Sequence, residues 1–174
     1  MFCGSATGTN PVFATAARTL GSLIAARGHS LVYGGGNVGL MGIVADAVLA
    51  GGGRVTGVIP DFLMQREVGH TALSELEVVA TMHERKRRMA DRADAFVAMP
   101  GGWGTLDELA EILTWRQLHL THQPVALLNT AGFFNPLIAC FEHMAAAGFL
   151  SPTNLHLVKV ASTPEDLLHL LAAG

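Results

Sequence analysis

Apolar residues along the chain fall into two rhythms. Short unbroken runs, Leu31-Val32-Tyr33, Val55-Thr56-Gly57-Val58-Ile59, Ala95-Phe96-Val97-Ala98-Met99 and Pro124-Val125-Ala126-Leu127-Leu128, have the length and flanks of buried strands. Glu77-Val78-Val79-Ala80 and residues 155–160 read as two more, and Phe2-Cys3-Gly4-Ser5 reads as the end of a strand whose beginning is missing. Between them, apolar residues recur at helical spacing over 11–26, 40–50, 82–93, 109–115 and 135–147. Asn10 before Pro11, and Thr163-Pro164-Glu165-Asp166 before a closing helix, place cap, proline and acids in the order that starts a helix. Residues 61–72 are irregular and read as a loop with one helical turn. Alternating strands and helices with short turns predict an α/β three-layer sandwich, with a parallel sheet of about seven strands and helices on both faces. No linker or repeat interrupts residues 1–174, so one domain is expected.

Ligands of such sheets bind beyond the carboxyl ends of the strands. Three glycine turns lie at that edge: Gly4-Ser5, the run from Gly34, Gly35 and Gly36 to Gly39, and Gly101-Gly102-Trp103-Gly104-Thr105. The last joins a strand to a helix, where backbone N–H groups and the helix dipole favour an anion, with phosphate the obvious guest. Glu108 then has two readings. Thr105 to Glu108 fits a capping box, or Glu108 is a carboxylate one turn from a bound phosphate, placed to work on the attached sugar. Gly34, Gly36 and Gly39 match G-x-G-x-x-G, but the turn follows the second strand and Asp61 sits after Pro60. A phosphate or close-approach turn is therefore expected there rather than a dinucleotide site.

Composition narrows the partners. Half of the 174 residues are hydrophobic and 14% are charged, enough for a large core and a subunit interface, and the formal net charge of -3 argues against nucleic acid. The one dense basic run is Arg85-Lys86-Arg87-Arg88. It is either a solvated helix face or, through Arg85 and Lys86 at the helix start, a partner for phosphate, ribose and Glu108. Two cysteines make no disulfide framework, and a reducing cytosol is the simple reading. No signal peptide or bilayer-length apolar run is found. His119 and His122 could share a helix face but lack a third ligand, so no metal is expected. Glu67 and His70 fall in the irregular loop, where exposure is expected. No G-x-S-x-G turn is present, and Cys3 reads as a small buried residue.

Pro100-Gly101-Gly102-Trp103-Gly104-Thr105-Leu106-Asp107-Glu108 resembles the PGGxGTxxE signature of the Lonely-guy group of cytokinin-activating phosphoribohydrolases. Met82-His83-Glu84-Arg85-Lys86 resembles its second signature, and Tyr33-Gly34-Gly35-Gly36 with Gly39-Leu40-Met41-Gly42 its glycine turn. The resemblance implies a Rossmann-like fold and a homodimer without a cofactor. It implies hydrolysis of the N-glycosidic bond of adenosine or N6-substituted adenosine 5′-monophosphates to free base and ribose 5-phosphate. By position, Glu108 and Arg85 match the catalytic pair, and Gly102 to Thr105 the phosphate loop within a substrate-binding run from Gly101 to Asp107. Glu67, Lys86 and Thr114 match further nucleotide contacts, and Ser5, Gly35 and Gly36 are an additional pocket candidate. Similar sequences have been labelled lysine decarboxylase, but nothing here resembles a pyridoxal-phosphate lysine site. The departures are Gln117-Leu118-His119 and Gln123, where the group has glycine and lysine, and Asp107 for glutamate.

Overall fold

A computed structural model describes residues 1–64 and 69–172. In chain order the elements are α1 (Pro11–Ala26), β1 (Leu31–Tyr33), α2 (Gly39–Ala50), β2 (Val55–Pro60), α3 (Asp61–Met64), β3 (Glu75–Val79) and α4 (Met82–Asp91). There follow β4 (Phe96–Ala98), α5 (Trp103–Gln117), β5 (Val125–Leu128), α6 (Asn135–Ala146), β6 (Val158–Ala161) and α7 (Pro164–Ala172). Among the described residues, all paired strands run parallel, as the alternation of strand and helix requires.

The single sheet of about seven strands expected from the sequence is not what forms. Two three-stranded sheets are present, in the orders β1-β2-β3 and β4-β5-β6. The segment read as a seventh strand contributes one bridging residue: Phe2 pairs with Ala98, donates to the Val97 carbonyl at 2.8 Å and accepts from Met99 N at 2.9 Å. Residues 4–8 turn away into the first glycine loop, and one residue's ladder is too short to make a strand. The Met1 amino group reaches the other sheet, donating to the Val32 carbonyl at 2.6 Å. Residues 155–157 also differ: they belong to a 3₁₀ turn, Pro152–Leu157, and the strand starts at Val158.

Side-chain alternation explains the two faces. Phe96 and Ala98 of β4, with Val125 and Leu127 of β5, point to a core shared with Met89 of α4 and Leu109 and Ile112 of α5. Val97, Ala126 and Leu128 point the other way, to a core shared with Leu20 and Ile24 of α1, Val44 and Val48 of α2, and Leu167 of α7. Strands buried on both faces read as unbroken apolar runs, and β2 and β5 are buried along their whole length. Among the described residues no helix is long and apolar enough to cross a membrane.

Candidate active site

The three glycine turns meet at one edge. Gly4 N donates to the Pro100 carbonyl and Leu40 N to the Gly4 carbonyl, each at 3.0 Å, so the first turn ties the second to the third. Gly39 has φ +60°, and a Cβ there would lie 2.3 Å from the backbone of Ser5 and Ala6, so both its conformation and its contact require glycine. Met1, Cys3, Gly4, Ser5, Gly34, Met41, Arg85, Gly102, Trp103, Gly104, Thr105 and Glu108 line a cleft of about 150 Å³ between the turns.

Its floor is the start of α5. The helix begins at Trp103, not beyond Glu108, with Gly102 as a cap that has no side chain to offer. The first-turn amides are those an anion can satisfy. None of Gly101, Gly102 and Gly104 has a positive φ. A Cβ at Gly101 would strike Thr105 Oγ1 at 2.1 Å, whereas Cβ atoms at Gly102 and Gly104 would meet nothing within 4 Å. So Gly101 is required by the fold, and the space beside the other two stays open. The helix start also settles the capping question. Thr105 lies inside α5 and is no cap. A related cap stands instead at α4, where the N-cap Thr81 Oγ1 accepts from Glu84 N and Glu84 Oε2 accepts from the amide of Ala80, the residue before the cap, each at 3.1 Å.

Thr105, Glu108, Leu109 and Ile112, at helical spacing, form the buried stripe of α5. Glu108 is therefore a buried carboxylate, 8% exposed, in a stripe that is otherwise mostly apolar. Opposite it stands Arg85, 5% exposed, one turn into α4. Arg85 Nε donates to the Val58 carbonyl at 3.1 Å, Nη2 donates to the Gly34 carbonyl at 3.0 Å, and Nη1 lies 3.9 Å from Glu108 Oε1. Burial pushes the pKa of the Met1 amine down, and the nearby Glu108 works against that shift.

The residues beside this pair, Lys86 after Arg85 and Asp107 before Glu108, point elsewhere. Lys86 Nζ lies 3.1 Å from Asp107 Oδ2 and 3.2 Å from Glu111 Oε1. Burial works against the Lys86 charge, but these two carboxylates outweigh it and raise its pKa. Lys86 and Asp107, expected as substrate contacts, thus tie α4 to α5 outside the cleft. Leu106 faces an adjacent apolar groove of about 340 Å³ shared with Phe133, Phe134 and Leu137. Thr114 is exposed, its hydroxyl donating to the Ala110 carbonyl at 2.8 Å, and lies far along α5. Ser5 borders the cleft, but Gly35 and Gly36 turn inward and leave Gly34 on its wall. Arg87 and Arg88 are solvated, paired with Asp91, and with Glu77 and Glu84.

Glu67 lies outside the described residues. His70, expected to be exposed, is buried at 4%. Its Nδ1 accepts from Ala72 N at 3.2 Å, so Nε2 carries the proton and donates to Asp46 Oδ1 at 2.9 Å. Its own amide donates to the Gly35 carbonyl at 3.0 Å. That pairing joins distant segments, and no local pattern announces it. His119 and His122 share no helix face, because α5 ends at Gln117. Among the described residues no cluster of three metal-ligating side chains exists.

Comparison with known proteins bears on this geometry. The model of a family described as "Possible lysine decarboxylase" matches residues 41–171. Cytokinin riboside 5′-monophosphate phosphoribohydrolase LOG1 of Arabidopsis thaliana is 45% identical over 168 residues, 97% of this chain and 79% of the relative. A protein of Oryza sativa subsp. japonica named "Probable cytokinin riboside 5′-monophosphate phosphoribohydrolase LOGL2" is 46% identical over 171 residues, 98% of this chain and 70% of the relative. The chain belongs to the Lonely-guy family.

The solved structure of the molybdenum cofactor binding protein from Rippkaea orientalis is 26% identical, with a TM-score of 0.71, covering 98% of this Lonely-guy chain and 93% of that one. The decarboxylase of the family description implies pyridoxal phosphate carried on a lysine. The two lysines of this Lonely-guy protein do not fit that group. The Lys86 ammonium is held charged between two carboxylates, where a Schiff-base lysine needs a lowered pKa. Lys159 Nζ donates to the Leu170 carbonyl at 2.9 Å and does not border the cleft.

Proposed function

We propose that this protein hydrolyses the N-glycosidic bond of adenosine 5′-monophosphates, including N6-substituted ones, releasing free base and ribose 5-phosphate. The observation that carries the reading is the meeting of Arg85 from α4, Glu108 from α5 and the open turn Gly102-Trp103-Gly104-Thr105 in one cleft. Relatives 45–46% identical over nearly the whole chain carry the name of that activity. The α5 amides take the 5′-phosphate, and the missing side chains of Gly102 and Gly104 let it approach. N-glycoside cleavage builds positive charge on the sugar, as other glycoside hydrolysis does. Glu108 stabilises that charge or activates water, and Arg85 orients Glu108 and holds ribose or phosphate oxygens. Glu67 remains a candidate nucleotide contact on the family resemblance.

The reading takes residues 1–174 as one Rossmann-like nucleotide-binding domain that acts without a cofactor in the cytosol. It acts as a homodimer. Support for the dimer comes from apolar side chains left exposed: Met144 on α6, a helix with no buried residue, Phe149 just after it at 90% exposure, and Leu118 and Leu120. Large apolar side chains left open to water favour covering by a partner surface.

A carrier or sensor that binds the nucleotide without turnover is the second reading, favoured by the likeness to a molybdenum cofactor binding protein. Incubation with AMP and with N6-isopentenyl-AMP decides between them. Release of free base with equimolar ribose 5-phosphate supports the hydrolase, and binding without release supports the carrier.

A further inference from the structure

Gly34 follows β1 at the wall of the cleft, and its backbone does not need glycine: its φ is not in the left-handed region, unlike that of Gly35 at +77°. What needs glycine is one side chain. A Cβ at Gly34 would lie 1.9 Å from Arg85 Nη2, 3.0 Å from Cζ and 3.5 Å from Nε, and these are its three nearest neighbours. The carbonyl of the same residue accepts from Nη2, while Nε donates to the Val58 carbonyl. Gly34 and Val58 stand one residue beyond the Tyr33–Gly57 register pair of the parallel strands. The residue that follows β1 and a residue within β2 thus form a seat, with two carbonyls as its acceptors and an absent side chain as its room.

We infer that Gly34 is a positioning residue: the missing Cβ and the carbonyl of Gly34 hold the Arg85 guanidinium where it faces Glu108. The bearing on rate rests on the reaction proposed above; the seat itself does not. Alanine at Gly34 pushes Nη2 about an ångström out of place, a displacement that costs about 10²-fold in rate when it reaches the chemistry. The backbone can hold alanine, so the fold has a way to accommodate it: the arginine leaves.

The test is a double-variant cycle of Gly34→Ala and Arg85→Ala, read by melting temperature and by kcat for base release from AMP. In the wild-type background Gly34→Ala lowers kcat about 10²-fold and lowers the melting temperature, as the buried carbonyls of Gly34 and Val58 lose their donors. In the Arg85→Ala background it changes neither, because no guanidinium is left to displace. Equal losses in both backgrounds, or wild-type values for Gly34→Ala alone, overturn the inference. Should Gly34→Ala fail to fold alone, the double variant must fold as well as Arg85→Ala, and its failure to do so overturns the inference too. The melting arm needs no substrate. A protein that releases no base therefore refutes the proposed reaction, while the melting temperatures still decide the seat.

Discussion

Arg85 Nη1 stands 3.9 Å from Glu108 Oε1 inside the cleft, and the adjacent residues, Lys86 after Arg85 and Asp107 before Glu108, repeat the pairing outside it, with Lys86 Nζ 3.1 Å from Asp107 Oδ2. Successive helix residues diverge by about 100°. One pair of α4–α5 crossings therefore supplies a buried site, and its neighbour supplies a clamp that holds the two helices together.

Glu108 carries the chemistry in this account. Glu108→Gln should lower kcat about 10²–10⁴-fold, the range of a positioned acid–base group, with nucleotide affinity largely retained. Steady-state kinetics with AMP, alongside calorimetric binding, check it. A near wild-type kcat with a lowered melting temperature would leave Glu108 a purely structural residue.

The clamp should show its charge in a pH series. The pKa of Lys86 is raised in the folded state by Asp107 and Glu111. Its stabilisation is therefore complete below the ordinary lysine value of 10.5 and is lost as pH climbs through the raised folded value. Lys86→Met should cost about 1 kcal/mol or less at neutral pH. The gap between variant and wild type should narrow as urea titrations move toward about pH 11. A gap that stays constant would mean that Lys86 stabilises by packing alone.

The apolar α6 face should be covered in solution. Light scattering at micromolar concentration should report at least a dimer, and Phe149→Asp, changing a side chain 90% exposed in the monomer, should shift the population toward monomer with the melting temperature of the subunit little changed. A clean monomer for the wild-type protein contradicts the assembly.

Much of the fold and part of the site were legible in the sequence. The bounds of α1 could be read outright, because Asn10, Pro11 and Gly28 mark both ends, and Asn10 Oδ1 does accept from Val12 N. The start of α5 could not. Gly102-Trp103-Gly104-Thr105 has the composition of a turn, yet Leu106 N already donates to the Gly102 carbonyl at 3.1 Å. The single bridge that Phe2 makes with Ala98, the burial of His70 against Asp46 and the pairing of Lys86 with Asp107 and Glu111 all depend on segments far apart in the chain. Local patterning is blind to such meetings. Arg85 and Glu108 were legible by residue type and place, whereas Gly34 was not, since its role appears only once Arg85 is seen to fill the space of its missing side chain.

The most direct test of the central claim sets nucleotide against nucleoside. Charge-assisted hydrogen bonds contribute about 1.5–3 kcal/mol each, so losing two or three at the α5 turn should cost about 10³-fold or more in kcat/KM. Part of that loss should fall on kcat, because binding energy from the remote phosphate holds the ribose in its reactive position. Kinetics of base release from AMP and adenosine, measured side by side, should give a kcat/KM for adenosine lower by about that factor. Comparable values for the two would contradict the placement of a 5′-phosphate on Gly102, Trp103, Gly104 and Thr105, and with it this account of the site.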